Sequence, residues 1–310
     1  MPVSLCRCKF SGEMRITMRK IWTGIIASLL TAGCLFASGF ATLKMGSDAR
    51  SAGMGMAATA MGAGGAAPFW NPASAGIIQG QDVVLSLHRW MDDIQSEFLG
   101  YAAGNGKHGA GLYVLFTEVG NLEYRTVPSN EPLGYFSAHE MVVGATYARK
   151  ITPNLTLGLA VKGYYEKIFT DDTWGLGGDL GFLYETSIYD IRVGGVVQNI
   201  GQTGRLEHDS VPLPLTGKLG VIKPFSMTGG EWLATMDLVR EKDFPTHIHA
   251  GAEYCWHALI ALRAGFQSGY DTRDITGGIG IIHHQFRFDY NYMPMSVLGD
   301  SHRLSLGISW

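Results

Sequence analysis

Cysteine is scarce: four in 310 residues, of which Cys6, Cys8 and Cys34 precede residue 35 and only Cys255 lies in the body of the chain. A chain with one such cysteine has no internal disulfide framework, so the small disulfide-stapled folds are excluded. Charge is scarce too. Charged residues make up 16% of the chain, against about 25% in an ordinary soluble domain. The balance is mildly acidic, with 24 basic and 27 acidic side chains. Nothing here is built to neutralise phosphates, which excludes nucleic acid as a partner. Long apolar runs are missing except for one at residues 21–41, so a bundle of membrane helices, each needing roughly 20 apolar residues, is excluded. Disorder is excluded by an aromatic content of 11%, because disordered chains are poor in aromatics and rich in net charge.

The one apolar run follows Met18-Arg19-Lys20 and ends in Gly39-Phe40-Ala41. A basic start, an apolar middle and small residues at the end describe a secretory signal peptide cleaved after Ala41. A permanent anchor of the same length is the rival reading. Leu30-Thr31-Ala32-Gly33-Cys34 also resembles a lipobox that would acylate Cys34, with threonine where an aliphatic residue is usual. Residues 1–17 read as an upstream extension ahead of Met18 or Met14. Residues 1–40 hold five basic side chains and one acid; without them 19 basic and 26 acidic residues remain, a net of −7.

What is abundant is glycine, 42 of 310 residues, and a period of two. In Phe286-Arg287-Phe288-Asp289-Tyr290-Asn291-Tyr292 the aromatic residues share one face and the polar residues the other, as side chains alternate along a strand. Residues 246–256 and 301–310 repeat the pattern. The amphipathic segments run near ten residues, the length a membrane strand needs (roughly 9–11). Tyr147, Tyr164, Tyr165, Tyr184, Tyr254, Trp256, Tyr290, Tyr292 and Trp310 sit toward segment ends, as the aromatic girdles of membrane barrels do. The last strand carries Leu306, Ile308 and Trp310 on one face, a terminal signal for barrel assembly at the outer membrane.

Fourteen such segments are expected, the first at 83–90 and the last at 301–310; an even number suits a single-chain barrel. Short connections near 104–106, 151–154, 257 and 283–284 alternate with longer ones at 118–138 and 201–214. Closure follows from the solvent, since an open sheet in hydrocarbon would leave two unpaired edges. A soluble periplasmic sandwich is the alternative that period alone leaves open. The resulting organisation is a leader at 1–41, an N-terminal plug or hatch at 42–82 and an outer-membrane β-barrel at 83–310.

Residues 42–76 lack the alternation, and are small and apolar. They contain Ala49-Arg50-Ser51-Ala52-Gly53-Met54-Gly55 and, further on, Trp70-Asn71-Pro72-Ala73. With Tyr147-Ala148-Arg149-Lys150, Gly178-Asp179-Leu180-Gly181, Gln198-Asn199-Ile200-Gly201 and Leu298-Gly299-Asp300-Ser301, these motifs resemble the PorV/PorQ family, relatives of the FadL-type outer-membrane transporters. The resemblance spans the mature chain and departs at Met61-Gly62-Ala63-Gly64-Gly65, where relatives carry acidic residues. It implies a fourteen-stranded FadL/PorV-like barrel whose N-terminal segment folds inward. Within that segment Arg50, Gly53, Gly55, Trp70, Asn71 and Pro72 are the candidate functional positions, with Asn71-Pro72 a turn signal in its own right. It further implies handling of secreted cargo domains, as in type IX secretion, or assembly at the outer membrane, with passage of hydrophobic small molecules in the FadL manner as the alternative. Membrane lipid and the barrel-assembly machinery are the remaining expected partners.

Other chemistry is not indicated. His247 and His249 share a face and His283 and His284 are adjacent, but neither pair has the spacing of a structural zinc site. The glycine clusters near 175–178 and 277–280 precede no helix that could cap a phosphate. No serine, histidine and acid are spaced to single out a nucleophile and its base. The sequence therefore implies no enzyme, no cofactor and no metal.

Overall fold

The computed structural model describes residues 40–310 except 63, 91–92, 207–208, 228, 271–273 and 296–298. Residues 1–39 of the expected leader, Cys34 among them, lie outside the described residues, and the expected cleavage point after Ala41 falls in the 3-10 turn Ala41–Lys44.

Fourteen antiparallel strands form one closed barrel: β1 (Gln79–Trp90), β2 (Ile94–Asn105), β3 (His108–Tyr124), β4 (Gly134–Lys150), β5 (Leu155–Ile168), β6 (Asp171–Glu185), β7 (Arg192–Thr203), β8 (Thr216–Met227), β9 (Gly230–Glu241), β10 (Thr246–Trp256), β11 (Ile260–Ser268), β12 (Ile275–His283), β13 (Phe286–Met293) and β14 (Ser301–Ser309). Each strand pairs with its sequence neighbours, and β14 closes on β1 in the register Leu306↔Leu85 and Ser305↔Ser86. Closure leaves no edge unpaired.

Every strand turns large apolar side chains outward. Leu87, Leu99, Leu112, Val143, Leu159, Leu180, Val197, Leu219, Leu238, Ile248, Leu262, Ile279, Phe288 and Leu306, one from each strand in turn, are all exposed. A contiguous apolar girdle of this extent marks a membrane surface rather than a watered one. The alternate positions face in and are largely polar, among them Asp82, Ser86, Lys162, Asp179, Asp237, Glu253, Arg263, Asp289 and Arg303. The sequence period thus becomes an oily exterior and a polar interior, the architecture of an outer-membrane β-barrel.

The inner wall departs from that simple division on one side. Phe98 on β2, Tyr113 and Leu115 on β3, Val142 on β4 and Tyr164 on β5 all point inward and are buried. Tyr164 is a correction to the aromatic girdle: it follows the inward parity of Lys162, so only its neighbour Tyr165 can face out.

The barrel end that carries Gln79 and Trp310 has short turns at 106–107, 151–154, 257–259 and 284–285, whereas the opposite end carries 125–133, 204–215 and 294–300. Short turns lie on the periplasmic side and longer loops outside the cell. Two boundaries differ from the sequence expectation. β1 begins at Gln79 rather than at 83, because Gln81 both donates to and accepts from the backbone of Trp310 at 2.7 and 2.9 Å. The loop expected at 118–138 is largely strand: β3 and β4 continue as a hairpin past a bulge between Val119 and Leu122. The polar, low-alternation sequence there hides pairing that only the partner strand supplies.

Residues 40–78 form short helical turns joined by buried irregular chain: α1 (Ala49–Gly53), α2 (Ala67–Trp70) and 3-10 turns at Ala41–Lys44 and Pro72–Ile77. Their partners are inward-facing residues of the wall, so the segment occupies the lumen.

Candidate functional site in the lumen

The luminal segment is held by ionic and hydrogen-bonded anchors spread around the wall. Asp48 is the hub of the first. Its carboxylate caps α1 by accepting from the Ser51 N–H at 3.0 Å and also accepts from the indole Nε1 of Trp70 at 2.9 Å. An acidic N-cap satisfies helix-end donors that would otherwise be orphaned. Arg303 of β14 donates from Nη2 to the Met45 carbonyl at 2.8 Å.

Arg50 forms the second anchor. Its guanidinium grips Glu253 of β10 with Nε at 2.9 Å and Nη2 at 2.7 Å, the two-pronged geometry in which arginine binds carboxylates best. Glu253 also accepts from Arg263 of β11 at 2.6 Å; Arg263 pairs with Asp289 at 2.8 Å and Asp289 with Arg287 at 3.2 Å. Arg287 in turn lies 3.5 Å from Asp82 on β1. The luminal arginine therefore ends an ion-pair chain that crosses a third of the wall. Gly55 follows with φ +66°, and a Cβ there would meet the Ala250 carbonyl at 2.7 Å. Gly53 packs against Gly278. Thr59 closes this side, donating from its backbone and its hydroxyl to Asp237 of β9 at 2.9 and 2.6 Å.

Trp70-Asn71-Pro72 forms the third anchor, and it touches the wall itself. Asn71 caps the 3-10 turn by accepting from the Ala73 N–H at 3.0 Å, while its Nδ2 donates to the Thr59 carbonyl at 2.9 Å and to the Phe182 carbonyl of β6 at 3.1 Å. The motif fits because the wall has no side chain there. A Cβ on Gly181 would sit 2.1 Å from the Asn71 Oδ1, and one on Gly158 would sit 2.3 Å from the Ala73 nitrogen. Gly181→Val is expected to drive Asn71 off the wall and lower stability by about 1–3 kcal/mol, the range for forced overpacking. Denaturant unfolding in detergent measures it, and an unchanged midpoint would count against the contact.

All six expected positions thus lie in the lumen: Arg50, Trp70 and Asn71 as anchors, Gly53, Gly55 and Pro72 as residues that let the chain turn or approach the wall. Leu306 and Ile308 face outward on the last strand, and Trp310, exposed as well, follows directly after its end at Ser309. His247 and His249 face inward, packed on Tyr270. No group of three or more His, Cys, Asp or Glu gathers to hold a metal among the described residues.

Above the anchors lies an apolar cluster. Phe69 makes edge contacts with Trp70, Phe98 and Tyr113 at centroid distances of 5.5 to 5.7 Å, and Phe40 meets Tyr164 at 5.3 Å. Beside it is a feature the sequence did not disclose, an interruption of the wall between β7 and β8. Their ladder runs only from Arg192↔Ile222 to Gln198↔Thr216. Beyond it Asn199 takes φ 62° and β6 shifts register between Gly178 and Leu180. Residues 211–215 fill the gap in place of a strand, and Pro212 and Pro214 bring no N–H to a ladder. The Asn199 side chain holds the Pro214 carbonyl at 3.0 Å, and the Thr203 hydroxyl holds that of Val211.

A buried ion pair stiffens this break. Lys162 of β5 lies 2.7 Å from Asp179 and donates to the Asn199 Oδ1 at 2.9 Å, while Asp179 accepts from the Asn199 N–H at 2.8 Å. The inward parity of Lys162 was readable. Asp179 keeps the inward parity of Thr173 and Leu183 on β6, but its partners on β5 and on the bulged β7 follow only from register.

Next to the break, on the outer face of the still-paired part of this ladder, the wall holds an apolar recess of about 620 Å³ lined by Leu157, Leu180, Phe182, Val197, Leu219 and Leu238. Inside it is a small cavity of about 30 Å³ beside Leu43, Met56, Trp70 and Val239. Lys218 borders both, with its Nζ 5.1 Å from the Trp70 ring centre.

No protein-family profile and no curated protein sequence matches the chain. Solved structures do match. The toluene transporter TbuX of Ralstonia pickettii superposes with a TM-score of 0.64 at 15% identity, covering 86% of this chain and 98% of that one. The monoaromatic hydrocarbon channel CymD gives the same TM-score, identity and coverage. A Pseudomonas aeruginosa FadL homologue gives a TM-score of 0.53 at 10% identity, over 85% and 98% of the two chains. At these identities the likeness is one of fold: this chain shares the FadL-type barrel.

Proposed function

We propose that the protein passes hydrophobic small molecules across the outer membrane. A solute entering from outside meets the aromatic cluster of Phe69, Phe98 and Tyr113, is stopped from falling straight through by the anchored segment, and leaves sideways through the wall beside the end of the β7–β8 ladder. The observation that carries this reading is the pairing of an apolar recess outside with a cavity inside, which share Lys218 two residues from the end of the β7–β8 ladder at Gln198↔Thr216. An apolar solute gains by leaving into hydrocarbon rather than into the aqueous periplasm.

The likeness to toluene and monoaromatic hydrocarbon transporters supports this reading over secretion, for which the PorV/PorQ motif resemblance is the only support. The reading contains no catalytic step. Gly217, which faces the recess with nothing within 4 Å of its Cβ position, offers the test. Gly217→Trp is expected to fill the recess and cut uptake of a radiolabelled monoaromatic hydrocarbon by cells expressing the protein, with the barrel still folded. Wild-type uptake equal to that of cells without the protein would end the proposal. Secreted proteins co-purifying stoichiometrically would turn it toward cargo handling.

A further inference from the structure

Near the extracellular end of the lumen, on the side away from Arg50, two carboxylates face each other, and among the described residues no cationic side chain pairs with either. Glu140 of β4 and Glu166 of β5 are direct cross-strand partners, and Thr117 and Thr173 continue the same inward row on β3 and β6. Directly opposed residues place their Cβ atoms about 4.5–5.5 Å apart. Glu140 accepts from the Thr42 hydroxyl of the luminal segment at 2.5 Å. Glu166 is 7% exposed and Thr173 is 3% exposed. The Glu166 Oε2 and the Thr173 Oγ1 are buried without a hydrogen-bond partner. The nearest inward cation along the strand, Lys162, is committed to Asp179. Two opposed carboxylates in a lumen shielded from water cannot both stay charged unless something neutralises them, and a buried oxygen with no donor is a place for a ligand.

We propose that Glu140 and Glu166, with the hydroxyls of Thr42 and Thr173, bind a divalent cation of the calcium type. The donors are all oxygen, which suits hard cations and disfavours zinc. They come from three strands and the luminal segment, separate elements that suit the flexible coordination of calcium better than the strict octahedral geometry magnesium demands. Water completes the shell. The ion would tie the start of the luminal segment, through Thr42, to the wall at the end opposite the Asn71 anchor. Nothing local in the chain discloses it, because Glu140 and Glu166 lie 26 positions apart and meet only through strand register. This inference stands apart from the transport reading.

Terbium ions probe the site directly, since Tyr164 shares the inward face of β5 two residues from Glu166 and can sensitise terbium emission. The full-length protein in detergent, excited at its aromatic residues, is expected to show saturable emission at one terbium per chain, displaced by calcium. Glu140→Gln and Glu166→Gln, near-isosteric changes whose folding is checked by heat-dependent gel mobility, are each expected to weaken binding by about tenfold or more, at least what the loss of an outer-shell partner costs a metal site. Glu123→Gln, which alters an exposed carboxylate paired with Arg125, is expected to leave the curve unchanged. Absence of saturable emission from the wild type would overturn the proposal and assign the pair to a shared proton. A double Glu140→Gln, Glu166→Gln variant that binds like the wild type would overturn it as well.

Discussion

Deleting residues 42–76 is expected to leave a barrel that still inserts into membranes but leaks small solutes, with single-channel conductance in planar bilayers raised roughly tenfold or more, since a barrel of this size lies between filled eight-stranded barrels and the water-filled porins. The wall does not depend on the segment for closure: β1 pairs with β14 and every other strand with its neighbours through backbone bonds alone. The luminal segment contributes Arg50, Thr59 and Asn71 to the wall groups Glu253, Asp237 and the Phe182 carbonyl. Without it those groups face water entering the lumen, which solvates them, so the loss is expected in occlusion more than in folding. Unchanged conductance in an inserted barrel would reject the view that residues 40–78 occlude the pore. Arg50→Ala should mimic part of the effect, because it removes the two-pronged grip on Glu253 and leaves the Asn71 anchor in place.

The second large effect is expected at the broken ladder. Asp179→Asn leaves the Lys162 ammonium, whose side chain is 1% exposed, without its counter-charge. Removing one partner of a buried pair costs about 3–5 kcal/mol, because the remaining charge is desolvated and uncompensated. The change also weakens the acceptor for the Asn199 N–H, at the residue where β7 turns away from β8. The double variant Lys162→Met, Asp179→Asn is expected to recover most of the loss, since replacing a whole buried pair by neutral groups is often close to neutral. Guanidinium unfolding followed by tryptophan fluorescence measures both. If Asp179→Asn unfolded at the wild-type midpoint, the pair would not stabilise the break. If the double variant were as unstable as the single one, the Asn199 contacts rather than the ion pair would hold it.

These two regions show what could and could not be seen beforehand. The strand period of Phe286 to Tyr292 needed no partner to be read, since each side chain reports its own face. The same holds for Lys162, which falls on the polar parity of an otherwise apolar segment, and for the turn at Asn71-Pro72, which is local chemistry. The parity of Asp179 is equally local, but its pairing with Lys162 and Asn199 is not, because it needs the β5 register and the bulge at Asn199 on β7. Tyr164 shares the parity of Lys162, so the same alternation places it inward and leaves only Tyr165 for the girdle; position near a segment end does not by itself distinguish the two.

By itself the sequence determined the barrel: alternation, segment length and the need to satisfy every backbone group in hydrocarbon leave few other folds. It also set apart a small-residue segment that could not be a strand. The tertiary structure decided what that segment does. Glu253 reaches Arg50 across 203 positions and Asp237 reaches Thr59 across 178, and Glu140 meets Glu166 only because two strands run in that register. The physical reason is that a strand's own side chains encode which way it faces, while ion pairs, a broken ladder and a lumen exist only between strands, where register and closure bring distant positions together.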